Sequence, residues 1–218
     1  NTAVGMQALN SNTTASYNTA VGKNALLANT TAAYNTALGY NAGTALTTGN
    51  KNTALGAEAL DTCTTGSENV AIGQAALYDN TTASYNVAVG RFAMRYNTTG
   101  GYNAAVGNDA LGATTTGNGN VGIGYHTLKT TTDGSYQIAI GYEAMKSTTT
   151  GTANTMIGFR SGHNHTTGAN NTCLGYSSLY SITEASRNTA IGHNTCSSIT
   201  DAGHDNTAVG YGALTWNN

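Results

Sequence analysis

The sequence predicts an all-β fold, a parallel β-solenoid (β-roll), and three observations predict it. A glycine recurs at a near-constant interval of 17 residues along the chain. The residues around that glycine are nearly the same in every copy. Of 218 residues, 127 are Thr, Ala, Gly or Asn, too small to fill the thick core of an ordinary globular domain. Disorder is excluded on composition: the chain has no proline and only 8% charged residues, the reverse of a typical disordered segment.

The periodic glycines are Gly5, Gly22, Gly39, Gly56, Gly73, Gly90, Gly107, Gly124, Gly141, Gly158, Gly175, Gly192 and Gly210. Eleven of the twelve intervals are 17 residues, and the last is 18. Self-similarity at a fixed period is the mark of a repeat architecture. Helical repeats need about 33–47 residues and leucine-rich repeats about 20–29, so a 17-residue unit holds no pair of packed helices. It suits one coil of two or three short strands and tight turns. Thirteen coils stacked at the strand spacing of about 4.8 Å would give a rod roughly 60 Å long. Residues 1–218 read as a single solenoid domain. The chain opens on Asn1 inside the pattern, so it reads as a piece of a longer fibre.

Counted from four residues before each glycine, the consensus is N-T-A-V-G-x-x-A-L-x-x-x-T-T-G-x-Y. Position 1 is Asn1, Asn18, Asn35, Asn52, Asn69, Asn86, Asn103, Asn120, Asn154, Asn171, Asn188 and Asn206, with Gln137 as the exception. A column of amides can hydrogen-bond from coil to coil, as in cross-β stacks. Position 3 is Ala except at Gly122, Met156 and Cys173, and position 4 is Val, Ile or Leu in all copies. The aliphatic column is expected to make a continuous narrow core. The position-5 glycine fits a turn needing positive φ or close backbone approach. Ala8 and Leu9, and their equivalents, are expected to start a return strand. Position 13 is Thr from Thr13 to Thr200, and the Ala or Gly at position 15 marks a second corner. The low charge follows from stacking, because identical charges one strand apart repel.

In Asn-Thr-Ala-Val-Gly the side chains alternate faces, and neither face looks solvated. A strand covered on both sides is expected where one face meets a neighbour. The strand is therefore placed at a subunit interface of a parallel homo-oligomer.

These motifs, Asn-Thr-Ala-Val-Gly then Ala-Leu then Thr-Thr-Gly, resemble the repeats of trimeric autotransporter adhesin heads, and more closely those of phage and bacterial tail-fibre-like proteins. The resemblance covers all thirteen copies. It implies a left-handed β-roll, three of which pack into a trimer. It departs from the adhesin heads in its longer period.

Other candidate chemistry is sparse. Cys173 and Cys196 replace apolar residues and read as small core hydrophobes. Cys63, at position 12, sits near the outer Thr segment and could bond between chains. Among the histidines, His163-Asn-His165 has a spacing at which both rings would share a face of a strand and meet a metal, although exposed polar residues are the simpler reading. Tyrosines fill position 17 (Tyr17, Tyr34, Tyr85, Tyr102, Tyr136) and position 6 (Tyr40, Tyr125, Tyr142, Tyr176, Tyr211). Such columns could stack on sugar rings or cover the core edge. Position 14 is Thr in nine of twelve complete copies, which would suit an ice-binding array, but only one of columns 13 and 14 can face out. Asn12, Asn29, Asn80 and Asn97 begin Asn-Thr-Thr triplets that fit glycosylation acceptors.

No catalytic triad, paired carboxylates or phosphate loop stands out, and no cofactor is implied. A net charge of −2 with scattered basic residues argues against nucleic acid. No apolar run approaches the roughly 20 residues that cross a bilayer. The expected role is a structural and adhesive segment of an extracellular fibre or phage tail fibre, at a cell surface or on a virion. Its expected partners are other copies of itself, as a trimer or an end-stacked filament, and a surface glycan or receptor.

Overall fold

The computed structural model describes residues 1–199 and 203–217; Thr200 lies outside them. The described residues contain short strands and turns and no helix. The chain divides into two compact units, Asn1–Asp109 and Ala110–Asn218.

Unit 1 carries β1 (Thr2–Val4), β2 (Thr19–Val21), β3 (Thr36–Leu38), β4 (Thr53–Leu55), β5 (Val70–Ile72), β6 (Val87–Val89) and β7 (Ala104–Val106). Each pairs in parallel with the next, which sets Ala3, Ala20, Ala37, Ala54, Ala71, Ala88 and Ala105 in one row. Unit 2 carries β8 (Val121–Ile123), β9 (Ile138–Ile140), β10 (Thr155–Ile157), β11 (Thr172–Leu174), β12 (Thr189–Ile191), β13 (Ser198–Ile199), β14 (Thr207–Val209) and β15 (Trp216–Asn217). Its row runs Gly122, Ala139, Met156, Cys173, Ala190 and Ala208. Thr189 still faces Thr207, so the extra residue of the last interval does not shift the register. β13 and β15 pair separately. The architecture is the expected all-β parallel solenoid.

The coil itself differs from expectation. Through unit 1 and most of unit 2, each coil holds one three-residue strand, not two or three. The Ala-Leu pair starts no return strand, because the chain turns instead. Positions 7, 9 and 17 are left-handed without being glycine, as at Asn24 (φ 60°), Leu26 (φ 50°) and Tyr34 (φ 61°). Positive φ breaks an extended run, and each such residue costs roughly 1–2 kcal/mol. Bonds between coils offset that cost: Leu26 N–H donates to Ala42 O at 3.0 Å and Asn24 N–H to Met6 O at 2.9 Å.

The position-5 glycines turn the corner after the strand with φ from 124° at Gly210 to 144° at Gly39. A Cβ on Gly56 would stand 2.6 Å from the Gly73 carbonyl oxygen. Dihedral and close approach each demand glycine here.

The interior corrects the expected core. Positions 1, 3, 8, 9, 12 and 15 point inward, so the filling is Asn, Ala, Ala, Leu, a variable residue and Ala or Gly. The aliphatic column at position 4 faces outward: Val4 is 57% exposed, Leu38 51% and Leu174 49%. Alternation forces this once Asn and Ala are inside. The interior takes an amide at position 1 and a methyl at position 3, which leaves the aliphatic residue at position 4 on the opposite face.

Position 12 is the adjustable part of the core. Where position 9 loses its leucine, as at Gly43 and Gly162, position 12 becomes bulky, as at Leu46 and His165. In the second case Met156 also fills the space; a Cβ on Gly162 would collide with its sulfur.

Candidate functional site

The position-1 asparagines are buried from Asn18 onward through unit 1, and each amide does two jobs. Asn86 Nδ2 donates to Gly100 O at 2.9 Å, three residues before the next column asparagine, and its Oδ1 accepts the Asn103 N–H at 3.0 Å. The same pattern recurs in unit 2, where Asn154 Nδ2 bonds Gly168 O at 2.9 Å and Oδ1 accepts from Asn171 N–H at 2.9 Å. Gln137 keeps the donor role, to Gly151 O at 2.7 Å, and its Oε1 accepts from the Asn154 side chain, Nδ2, at 3.0 Å. The column therefore joins side chain to backbone more than amide to amide. It closes the coil and ties each coil to the next.

The two tyrosine columns are exposed, with Tyr17 at 69% and Tyr211 at 82%. Their rings stack on one another. At position 17, Tyr17 lies 4.8 Å from Tyr34 and Tyr85 lies 4.9 Å from Tyr102. Tyr136 rides over Gly119, where a Cβ would stand 3.0 Å from its ring. Two other position-17 pairs are ionic: Lys51 with Glu68 at 3.5 Å and Arg187 with Asp205 at 2.6 Å. At position 6, unit 2 holds an unbroken stack of Tyr125, Tyr142, Phe159, Tyr176, His193 and Tyr211, spaced 4.8–5.3 Å. Tyr40 in unit 1 has instead the Lys23 ammonium 5.8 Å from its ring. Stacked rings give their faces to each other and their edges to solvent. Tyr142 and Tyr176 therefore have no free face for a sugar, whereas Tyr17, Tyr34, Tyr85 and Tyr102 each stack on one ring only.

The remaining candidates separate by side. Cys63, expected near the outer segment, is fully buried, as are Cys173 and Cys196. Position 12 points inward, and burial pushes the Cys63 thiol up to about 11. It cannot bond between chains in the folded state. Asn29, Asn80 and Asn97 are buried for the same reason, so they are not acceptors for a glycan on the folded chain. The expectation that Asn-Thr-Thr lies on the surface fails at its first residue; the Asn29 amide has no hydrogen-bond partner at either atom. His163 and His165 do not share a face, because the segment is a turn. His165 is interior, bonded through Nδ1 to Thr148 Oγ1 at 3.1 Å, and burial lowers it to about 4. His163 is outside, 3.3 Å from Glu143. Among the described residues, no group of three or more His, Cys, Asp or Glu is placed to hold a metal ion. None forms a helix long and apolar enough to cross a membrane. Most of the described position-13 threonines spend their hydroxyls on the next coil, as Thr47 does on Thr64 O at 3.0 Å. The position-14 threonines, such as Thr48 and Thr65, are exposed.

Two features were missed. The first is a charge cluster in unit 2. Glu143 is only 5% exposed and meets Lys146 at 2.7 Å, Arg160 at 3.0 Å and His163 at 3.3 Å. The Lys146 ammonium, with Arg160 behind it, holds its carboxyl below the usual range. Read down columns, Glu143 and Arg160 are 17 residues apart, which was the available signal. The second is the outward face of the strands. Positions 2 and 4 contain no charged residue in any of the thirteen copies. Val87, Val106, Ile123, Ile138 and Ile191 on this face are 37–41% exposed.

Comparison with protein-family models, curated proteins and solved structures finds no match for this chain.

Proposed function

We propose that the chain is a structural and adhesive segment of an extracellular fibre, on a cell surface or a virion, and that copies of it associate through the outward face of the strands. The observation that carries this is the exposed, charge-free Thr/Val and Val/Ile/Leu face in each unit. Contiguous exposed apolar surface on a folded protein marks an interaction site. The occupant that fits is a second copy. The stripe repeats at each strand, about 4.8 Å apart, and a partner meets every repeat in register only if it carries the same period. The flanking columns, aromatic and polar at positions 6 and 17, supply the polar rim that interfaces place around an apolar centre. The resemblance to adhesin-head and tail-fibre repeats agrees with this reading. The variable outer turns are left for adhesion.

The test uses engineered cysteines, which are informative because the three native thiols are buried. Thr53→Cys lies on the outward strand face, and Thr65→Cys lies on the exposed position-14 column. Mild oxidation should give covalent oligomers of the first and not of the second. Equal cross-linking of both, or none of either, contradicts the assignment.

A further inference from the structure

Ring stacks in this chain are interrupted wherever the next coil lacks a ring, as at Tyr136 before Ala153, and in unit 2 one such interruption adjoins a cleft. At position 10 the residues run Lys129, Lys146, His163, Tyr180 and Ser197. His163 stacks on one face of Tyr180, with centroids 5.1 Å apart and planes 10° apart. The next coil offers Ser197, whose side chain is too short to cover the other face. A cleft of about 340 Å³ opens there, lined by Arg160, Tyr176, Ser177, Tyr180, Asn194 and Ser197 among others.

We propose that this cleft binds a pyranose sugar, with the CH face of the sugar on the open face of Tyr180 and its hydroxyls on Arg160, Ser177 and Asn194. A pyranose is apolar across one face and polar around its rim. The cleft offers the complement: one free aromatic face and, around it, hydroxyl, amide and guanidinium groups able to donate and accept. Its volume lies at the small end of ligand clefts, which suits one or two rings and not a long chain. The polar wall is held in place. Arg160 is anchored through Nε to Glu143 at 3.0 Å, which leaves its terminal nitrogens for a ligand. Glu143 also binds His163 at 3.3 Å, the ring that backs Tyr180. One nearly buried carboxylate thus fixes both sides of the cleft. This goes beyond the fibre role, and it moves sugar recognition from the stacked tyrosine columns to an interrupted stack that adjoins a cleft.

The experiment is saturation-transfer NMR on the whole chain with two probes, N-acetylglucosamine and N-acetylneuraminic acid, each at about 10 mM. A sugar-sized ligand in a single shallow site is expected to bind with a Kd of about 1 mM. At least one probe should receive saturation, strongest at its ring CH protons. Binding should weaken about tenfold in Tyr180→Ser, which copies the serine of the next coil, and stay unchanged in Tyr17→Ser. Ser197→Tyr, which would complete the stack and cover the open face, should abolish binding while leaving Tyr180 in place. Preference for N-acetylneuraminic acid, lost in Arg160→Gln, assigns a carboxylated glycan; binding of N-acetylglucosamine that survives that change assigns a neutral one. No saturation of either probe overturns the proposal. So does binding that persists in Ser197→Tyr, or that falls equally in Tyr17→Ser.

Discussion

The two sides of one strand invert the usual pattern. In β6 and the residue before it, Asn86 and Ala88 point inward and are fully buried, while Val87 and Val89 point outward. The polar residue is inside and the apolar residues are outside. On the inner side the amide is satisfied at both atoms by the backbone of its own coil and the next. On the outer side Val87 is 38% exposed, and both valines face away from the interior. An interior amide column is stable only because every partner is supplied by the fold. An exterior aliphatic column calls for a partner from outside. The inner side thus belongs to folding, and the proposed assembly rests on the outer side.

Breaking the inner side should have the largest effect. Asn86→Asp places a carboxylate against the Gly100 carbonyl oxygen and removes the donor that bonds it. Stability should fall by about 3–5 kcal/mol, the scale for an unpaired buried charge. Arg91→Ala removes only an exposed bond to Gln74 and contact with the Phe92 ring, worth less than about 1 kcal/mol. Denaturant melts of the two variants check this, and equal midpoints would refute the role of the column.

Acid tests the inner side next. His165 is buried and neutral, with its proton affinity lowered by burial from 6.5 to about 4. The unfolded chain takes up the proton first, so the group's contribution is complete above pH 6.5 and is lost as pH falls towards 4. The loss is about 3 kcal/mol at the linkage slope of about 1.4 kcal/mol per pH unit. His165→Thr, which copies Thr148 in the same column, should flatten the melting profile over that window.

A third change should act in the opposite direction. Asn29 is buried with neither amide atom bonded, and the next coil has Leu46 at the same position. Asn29→Leu should stabilise the chain by about 1–2 kcal/mol, because an unpaired buried amide costs about that much. A lower melting midpoint would mean that the amide has a partner after all.

The smallest effect on the folded chain is expected on the outer side. Leu38→Lys, at a half-exposed position of β3, should change monomer stability by no more than about 0.5 kcal/mol. It should nevertheless abolish association.

Much of the fold was legible because stacking writes itself into the sequence. The 17-residue glycine spacing gave the solenoid, and the position-5 turn followed from glycine alone. The inside–outside phase was not legible. Val, Ile and Leu suggest a core, and only the requirement of Asn for the position-15 carbonyl reverses that assignment. The left-handed residues at positions 7, 9 and 17 were hidden too, since Leu26 or Tyr34 has no local preference for that conformation. The fold imposes it through bonds between coils. The cleft beside Tyr180 appears only when the chain is read down columns, where Tyr180 precedes Ser197.

The most direct measurement is the mass of the native chain in solution, by light scattering or native mass spectrometry, for the unaltered sequence and for Leu38→Lys combined with Leu174→Lys, one substitution in each unit. The account predicts a discrete oligomer of the unaltered chain and a folded monomer of the variant. A monomeric unaltered chain, or an oligomer or open-ended filament that persists with both lysines in place, would contradict the claim that the outward strand face is where copies meet.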